Sequence, residues 1–377
     1  MPRVRKRQPG AAGRRERPRR PARLAARGDY ARLLTERPNP RSRDLDVLST
    51  VGIARLMNRE DAGAVRAVGR EAPAIARAVD LIVAALGARG RLIFVGAGTS
   101  GRLGVLEAAE CPPTFGTAPG LVQAIMAGGR ASVFRSREGA EDDEAAGRSQ
   151  VRKRVRCGDV VVGISASGVT PFVRAALEEA RARGARTVIV RCTPQPRRAC
   201  RDRGAERSVA DVVIAPAPGP EVIAGSTRLK AGTATKLVLN TLTTASMVRL
   251  GKVYGNRMVD LQPRSMKLQA RALRLVEEIA AVPPVRARRA LAEAGGRARL
   301  AIVIARTGLS ARAARRALGA TGGALRPLLD RSPAARARQA SERIRWSSRA
   351  PGSPGASAHP PGRVRARGVW GASIVPP

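Results

Sequence analysis

Residues 96 to 116 combine a glycine-rich turn with a carboxylate, two features that together suggest chemistry on a phosphorylated substrate. The turn contains Gly96, Gly98 and Gly101 and follows an apolar run. Glycine turns between a strand and a helix expose backbone N–H groups, which bind anions together with the helix N-terminus. Thr99 and Ser100 add hydroxyl donors there. Taken alone, the turn is equally typical of dinucleotide-binding folds and of simple tight turns.

A second polar turn, residues 165 to 170, follows another apolar run. Parallel α/β sheets bind ligands at the carboxyl ends of their strands, so both turns are expected to face one crevice. The hydroxyls of Ser165, Ser167 and Thr170 are therefore candidate phosphate ligands. The alternative is ordinary helix capping before Pro171.

Two carboxylates are candidates for acid and base. Glu110 lies on the predicted helix after the glycine turn, which we expect to break at Pro112, and Glu141 lies in an acidic segment further on. The only histidine, His359, is in a Pro/Gly-rich tail, which excludes Ser-His-Asp and Cys-His catalysis from the folded part. Acid–base work therefore falls to carboxylates, although Glu141 could equally complement a helix dipole.

Composition narrows the function classes. Aromatic residues make up only 2% of the 377 residues, so the stacking platforms of nucleic-acid-binding proteins are not supported. The net charge of +41 is mostly arginine, and a little less than half of it lies in the two ends. It fits a GC-rich coding sequence, or basic arms that bind nucleic acid or acidic lipid nonspecifically by counterion release.

The cysteines show no metal-site spacing, so we expect no zinc site. No apolar run is long enough to cross a membrane, and no signal-peptide core follows the basic N-terminus. These features predict a cytoplasmic protein with no membrane partner.

Hydrophobic periodicity predicts an α/β fold. Helical spacing over 49–86 precedes five short apolar runs, which read as strands of a parallel sheet: 92–95, 121–126, 159–164, 186–190 and 211–214. A long helix is predicted over 231–250, and residues 270–329 look wholly helical, with similar segments at 288–296 and 315–323. Residues 1–30 and 331–377 are predicted to be disordered.

Read together, several motifs resemble the N-acetylmuramic acid 6-phosphate etherases, enzymes of the sugar-isomerase (SIS) domain superfamily. The resemblance is carried by residues 34–40, 44–46, 96–116, 138–143, 163–171, 219–222, 225–234, 236–240 and 251–256. It implies an SIS-type three-layer αβα sandwich over 31–268, with a five-stranded parallel sheet and N-terminal helices. A small C-terminal all-helical domain would cover 269–330. The resemblance also implies a homodimer with the site near the interface, and no metal or organic cofactor.

The implied reaction cleaves the D-lactyl ether of N-acetylmuramic acid 6-phosphate, giving N-acetylglucosamine 6-phosphate and D-lactate by elimination and then hydration, in cell-wall recycling. By motif position, Glu110 would be the proton donor, its pKa raised by burial near Val105, Leu106 and Pro112. Glu141 would be the second catalytic carboxylate, most simply the base. The implied phosphate ligands are Gly98, Thr99, Ser100, Ser165, Ser167 and Thr170. Arg228 and Lys230 are weaker candidates for an anion.

The chain departs from the family pattern at several positions. Val169 stands in place of an arginine, Phe172 of a tyrosine, Glu107 of an aspartate that precedes Glu110, and Thr193 of an asparagine. We expect altered substrate affinity, and a Glu107 that competes for the acid role or raises the pKa of Glu110.

Three other functions are weighed against the etherase. A noncatalytic sugar-phosphate-binding regulatory protein would not need Glu110 and Glu141 together. A sugar-phosphate isomerase or deaminase would have no use for protonation of a leaving lactate. A nucleic-acid binder rests only on the charge of the Arg-rich termini.

Overall fold

The computed structural model describes residues 33–194, 210–260 and 265–330. The predicted N-terminal extension and C-terminal tail lie outside the described residues, as do Cys200 and His359. The predictions made for those segments stay predictions.

The core of the protein is a five-stranded parallel sheet, as the apolar runs predicted. The strands are β1 (Leu92–Gly96), β2 (Val122–Met126), β3 (Val160–Ile164), β4 (Arg186–Val190) and β5 (Val212–Ile214). Their spatial order is β2-β1-β3-β4-β5, so the direction of winding reverses between β1 and β3. In open α/β sheets such a reversal leaves a crevice at the carboxyl ends of the two strands, where ligands bind.

Helices cover both faces of the sheet. Those before β5 are α1 (Thr50–Arg70), α2 (Ala72–Gly87), α3 (Gly98–Phe115), α4 (Ala131–Phe134), α5 (Glu144–Arg154) and α6 (Pro171–Ala182); α7 (Lys230–Arg249) follows it. Successive residues of a strand point to opposite faces. Accordingly, Leu92 and Phe94 pack with α2, α3 and α7, whereas Ile93 and Val95 pack with α5 and α6. This confirms the predicted three-layer αβα sandwich.

The predicted helical stretch over 49–86 is divided into two helices, α1 and α2, at Glu71. Pro73 occupies the first turn of α2, where its missing N–H and fixed φ are tolerated. Ser49 caps α1 by accepting a hydrogen bond from the amide of Gly52.

The predicted break at Pro112 is wrong, because α3 continues through both prolines to Phe115. A proline lacks the amide hydrogen bond, but its φ is compatible with a helix. Cys111 and Phe115 are both buried in the core, so packing holds this last turn against the sheet. The helix ends where Gly116 takes a left-handed conformation and its amide bonds to the Pro112 carbonyl.

The C-terminal region is helical, as predicted. A short hairpin of β6 (Val253–Tyr254) and β7 (Arg257–Met258) precedes α8 (Met266–Ala280), α9 (Pro284–Glu293), α10 (Ala298–Thr307), α11 (Ala311–Ala320) and α12 (Arg326–Leu329). The two similar segments form α9 and α11, each followed by a pair of glycines with positive φ. The domain limits inferred from the sequence stay a prediction. Within the described ranges, no helix is both long and apolar enough to cross a membrane.

One close approach fixes the start of α3. A Cβ atom on Gly101 would lie 2.3 Å from Met126 Sδ and 2.6 Å from the Gly96 carbonyl oxygen, and a Cβ on Gly96 would lie 2.7 Å from the Gly101 amide nitrogen. The turn between β1 and α3 can therefore be this tight only with glycine at both positions.

We predict that Gly101→Ala lowers the free energy of unfolding by about 1–3 kcal/mol or more, because a methyl group has no room there. The matched control is Gly63→Ala in α1, where nothing lies within 4 Å of the added Cβ. The control should stabilise the protein by roughly 0.5–1 kcal/mol, because alanine is the better helix former. Chemical denaturation measures both, and equal effects of the two substitutions would contradict this account.

Candidate active site

The two polar turns predicted from the sequence lie side by side at the carboxyl edge of the sheet. Gly96 ends β1 and is paired with Ile164, which ends β3. Gly98, Thr99 and Ser100 form the first turn of α3, with Gly98 at φ 53°. The first amides of a helix have no intrahelical partner and carry the positive end of its dipole. This turn can therefore receive an anion.

Three hydroxyls cluster in the turn that follows β3. Ser165 Oγ lies 2.8 Å from Thr170 Oγ1 and 3.4 Å from Ser167 Oγ, and it accepts a hydrogen bond of 3.0 Å from the Gly168 amide. Thr170 is the residue before α6, but its side chain makes no capping hydrogen bond. The helix-capping explanation of Thr170 is therefore wrong.

Glu141 lies at the same edge of the sheet. Its carbonyl oxygen accepts a hydrogen bond of 2.9 Å from the amide of Phe172 in the first turn of α6, and its side chain is exposed. The residue that caps α5 is Asp143, whose carboxylate accepts a hydrogen bond from the Ala146 amide at 2.8 Å. Asp143 and Glu144 thus complement the dipole of α5, and Glu141 faces solvent beside the second turn.

Glu110 is placed differently from what the sequence predicted. It is exposed on the second half of α3, and neighbouring Leu106 is itself 40% exposed, so this chain alone does not provide the expected burial. At 1.5 Å per residue, Glu110 lies about 15 Å along the helix axis from Ser100. Within one chain, the structure therefore does not bring Glu110 together with the two polar turns.

Glu107, one turn before Glu110, is a buried structural carboxylate. Its oxygens accept hydrogen bonds of 2.6 Å from Lys236 Nζ and 2.7 Å from Thr243 Oγ1 on α7. It is therefore not free to compete with Glu110 as an acid. Burial, reinforced by the negative charges of Glu107 and Glu110, raises the pKa of the Cys111 thiol to about 12, which makes that thiol unreactive.

Lys230 is not a free cation, contrary to the prediction from the sequence. Its ammonium is buried and donates to Glu60 Oε2 at 2.6 Å and to the Pro220 carbonyl at 2.9 Å. Glu60 also accepts hydrogen bonds from Asn39 and from Arg41. Arg228, the other cation considered, is exposed.

Another buried carboxylate, Glu221, caps α7. Glu221 accepts hydrogen bonds of 2.8 Å and 2.9 Å from the amides of Lys230 and Ala231, the first two residues of that helix. Burial raises the pKa of Glu221, although these two bonds oppose the change. The first turn of α7 also approaches the phosphate turn, because a Cβ on Gly232 would lie 3.9 Å from Thr99 Cγ2.

The sequence pattern predicted no role for Glu60, Asn39 or Glu221. One signal was available for Glu60, since it lies on the stripe of α1 that also buries Leu56, Ala64 and Ala67. A carboxylate on a buried helical stripe needs a partner of opposite charge. That partner, Lys230, is 170 residues away along the chain, so the pairing could not be read from the sequence.

The positions that depart from the family pattern differ in burial and in hydrogen bonding. Phe172 is buried in the core, whereas Val169 is 40% exposed on the second turn. Thr193 Oγ1 donates a hydrogen bond of 2.9 Å to the Ser167 carbonyl, so the residue at this position supports the hydroxyl-bearing turn. The rest of the 193–196 loop, from 195 on, lies outside the described residues.

Within the described ranges, no group of three or more His, Cys, Asp or Glu side chains is arranged to hold a metal ion. Strand order and the paired turns at the winding reversal are those of an open α/β sheet with a ligand crevice, and similarity to known proteins assigns this sheet to the SIS class. In agreement, a family model described as the glucokinase regulatory protein N-terminal SIS domain matches residues 74–181.

The chain belongs to the N-acetylmuramic acid 6-phosphate etherase family. A relative of that name from Synechocystis sp. is 46% identical over 302 residues, covering 80% of this chain and 96% of the relative. Another of the same name from Symbiobacterium thermophilum is 52% identical over 272 residues, covering 72% and 88%. The resemblance inferred from the motifs is thus confirmed.

Among solved structures, a phosphoheptose isomerase from Neisseria gonorrhoeae is 20% identical with a TM-score of 0.35, covering 49% of this chain and 93% of that chain. A phosphoheptose isomerase from Francisella tularensis is 16% identical with a TM-score of 0.40, covering 53% and 100%.

The buried pair of Glu60 and Lys230 generates a pH-dependent prediction. Burial alone would raise the pKa of Glu60, but hydrogen bonds from Lys230, Asn39 and Arg41 lower it from 4.5 to about 2. This contribution to stability, about 3 kcal/mol, is present above pH 4.5 and is lost as the pH falls towards 2. Glu60→Gln should cost about 3–5 kcal/mol near neutral pH, since it leaves the Lys230 ammonium buried without its counter-charge.

The measurement is the difference in free energy of unfolding between parent and Glu60→Gln as a function of pH. That difference should shrink on acidification, because protonated Glu60 resembles glutamine. Asp80→Asn, at an exposed position of α2, serves as the control and should change little. A difference that does not vary with pH would show that the carboxylate is not ionised in the folded protein.

Proposed function

We propose that this protein cleaves the D-lactyl ether of N-acetylmuramic acid 6-phosphate, giving N-acetylglucosamine 6-phosphate and D-lactate. The observation that carries the proposal is that relatives named for this activity are 46% and 52% identical over 80% and 72% of the chain. It is a carbon–oxygen lyase acting in the recycling of cell-wall amino sugar. We place it in the cytoplasm, because a charged sugar phosphate does not cross a bilayer unaided.

The sugar phosphate binds between the two polar turns. Its phosphoryl oxygens accept hydrogen bonds from the amides of Gly98, Thr99 and Ser100 and from the hydroxyls of the second turn, those of Ser165, Ser167 and Thr170. Supporting this assignment, α3 and α6 begin after the ends of adjacent strands, and the hydroxyl of Ser165 lies within hydrogen-bonding distance of the other two hydroxyls of the second turn.

The reaction proceeds by elimination and then hydration. In the open-chain sugar, the aldehyde acidifies the hydrogen on carbon 2, and Glu141 removes it as a proton. The electron pair left on carbon 2 forms a double bond to carbon 3, and the bond from carbon 3 to the lactyl oxygen breaks. Glu110 protonates that oxygen, so D-lactate leaves as the alcohol. Water then adds to the double bond, with its hydroxyl on carbon 3 and a proton on carbon 2.

Glu110 of a partner subunit completes the site. Two observations support this. In its own chain, Glu110 is about 15 Å along the helix axis from Ser100, further than a hexose phosphate held at the helix N-terminus extends towards it. Glu110 also lies one turn after Leu106, an apolar side chain that is 40% exposed on the same face of α3. A homodimer formed through this face covers the apolar surface and supplies the acid.

The test of the function is release of D-lactate from N-acetylmuramic acid 6-phosphate by the purified protein. Glu110→Gln should abolish release but leave exchange of the carbon 2 hydrogen with solvent deuterium, because it removes the acid and keeps the base. Glu144→Gln, an exposed carboxylate in α5, is the control and should behave as the parent does. Loss of both release and exchange in Glu110→Gln would contradict this division of labour.

A folded parent that binds the sugar phosphate but releases no lactate would refute the etherase. That outcome would favour the alternative of a noncatalytic regulatory protein. Binding is measured by calorimetry with the same sugar phosphate.

Sharing of the site between subunits predicts complementation. Glu110→Gln should be inactive and Glu141→Gln should keep only a small residual activity, but dimers that contain one chain of each have one intact site. Unfolding and refolding the two variants together should therefore restore about one quarter of the parent activity, since half of the dimers are mixed and half of their sites are intact. Either variant refolded alone is the control. No recovery in the mixture would mean that both carboxylates act from one chain.

A further inference from the structure

Arg102 ties the phosphate turn to the segment that leads to Glu141. It follows Gly101 on α3, and its guanidinium donates three hydrogen bonds. Nε donates to the Val133 carbonyl at 2.8 Å, and Nη2 donates to the Ser132 carbonyl at 2.9 Å and to Ser136 Oγ at 3.2 Å. All three acceptors lie in α4 or just after it, and none is a carboxylate. The arginine therefore holds the segment 132–136.

Ser132, in the segment held by Arg102, and Ala140, the residue before Glu141, both pack on Gly128. A Cβ on Gly128 would lie 2.2 Å from Ser132 Oγ and 3.3 Å from Ala140 Cβ. Ser132 is buried, so this packing lies in the interior. Movement of Ser132 therefore changes the packing at Gly128, on which Ala140 and the backbone that leads to Glu141 also rest.

Glu141 is held from its other side by the second turn, because its carbonyl accepts a hydrogen bond from the Phe172 amide at 2.9 Å. One series of contacts thus runs from Arg102, after the first turn of α3, through residues 132–136, Gly128 and Ala140 to Glu141 and the first turn of α6. The two phosphate-binding turns and the carboxylate are linked by it.

We infer that Arg102 is a positioning residue that sets where Glu141 stands relative to the phosphate turn. The inference rests on the proposed function, because it assigns Glu141 the role of base. A planar guanidinium suits the role, since its donors are fixed relative to one another and can reach two neighbouring carbonyls and a hydroxyl together. A lysine ammonium is a single point on a flexible stem and cannot reproduce that geometry.

The experiment compares Arg102→Ala and Arg102→Lys with the parent and with Arg183→Ala. Arg183 is the matched control, since its Nε also donates to a backbone carbonyl, that of Val155, but at the end of α6 away from both turns. Both Arg102 variants should lower kcat by about 100-fold, the cost of misplacing a reacting group by about 1 Å, and leave KM within a few-fold of the parent. The control should keep the parent values.

A second measurement tests whether Arg102 acts through Glu141. In a Glu141→Gln background the base is already absent, so adding Arg102→Lys should reduce the residual kcat by less than about threefold. A reduction as large as in the parent background would overturn the proposal, and so would a change in KM alone.

Hydrogen–deuterium exchange of the backbone amides separates this proposal from the etherase proposal. Both Arg102 variants should exchange faster than the parent over residues 132–141 and at the parent rate over the sheet. Unchanged exchange over 132–141 would overturn the positioning role. If the parent releases no lactate, the proposed function fails, and exchange alone decides whether Arg102 holds this segment.

Discussion

The close approach between the end of β1 and the start of α3 is the constraint on which the site depends. Gly96 and Gly101 meet with no room for a Cβ on either, and this contact brings the first amides of α3 to the carboxyl edge of the sheet. The strand register aligns the two turns: Gly96 is paired with Ile164, so the turn after β3 lies next to the turn after β1. A wider turn at Gly101 would aim the helix dipole away from the hydroxyls of Ser165 and Thr170.

Buried charged residues position α7 beside the same edge of the sheet. Glu221 occupies the first amides of α7, and Glu60 holds the Lys230 ammonium in the interior. Burying such groups costs free energy, and the geometry recovers it only because several hydrogen bonds converge on each carboxylate. The arrangement gives α7 one position relative to α1, with Gly232 beside Thr99. Glu60, Glu221 and Lys230 therefore stabilise the fold, whereas Glu141 is exposed and has its carboxylate available for chemistry.

The two catalytic candidates differ in how one chain treats them. Glu141 stands beside the second turn, held through its backbone by Phe172, so its place is settled within the chain. Glu110 projects from an exposed face of α3 next to apolar Leu106. A carboxyl that must donate a proton near neutral pH gains from a low-dielectric setting, and contact with a second subunit is the simplest way to provide it. On this proposal the assembly, rather than the single chain, is the catalytic unit.

By itself the sequence determined the local features of this protein. Apolar runs of strand length predicted all five strands of the parallel sheet, and helical periodicity predicted α7 and the C-terminal helices. Both patterns arise because burial on a sheet or helix face imposes a period on the chain. Glycine spacing after β1 and hydroxyl spacing after β3 predicted two turns at one edge, since parallel strands carry their ligand loops on the same side.

Only the tertiary structure decided the features that depend on contacts between residues distant in the chain. It assigned Lys230 to Glu60 and Glu107 to Lys236, and it kept α3 helical through Pro112 because Cys111 and Phe115 pack in the core. It also left Glu110 exposed and far from Ser100. Burial and pairing of a charge arise from which elements meet in space, and the local pattern of a single sequence does not contain that information.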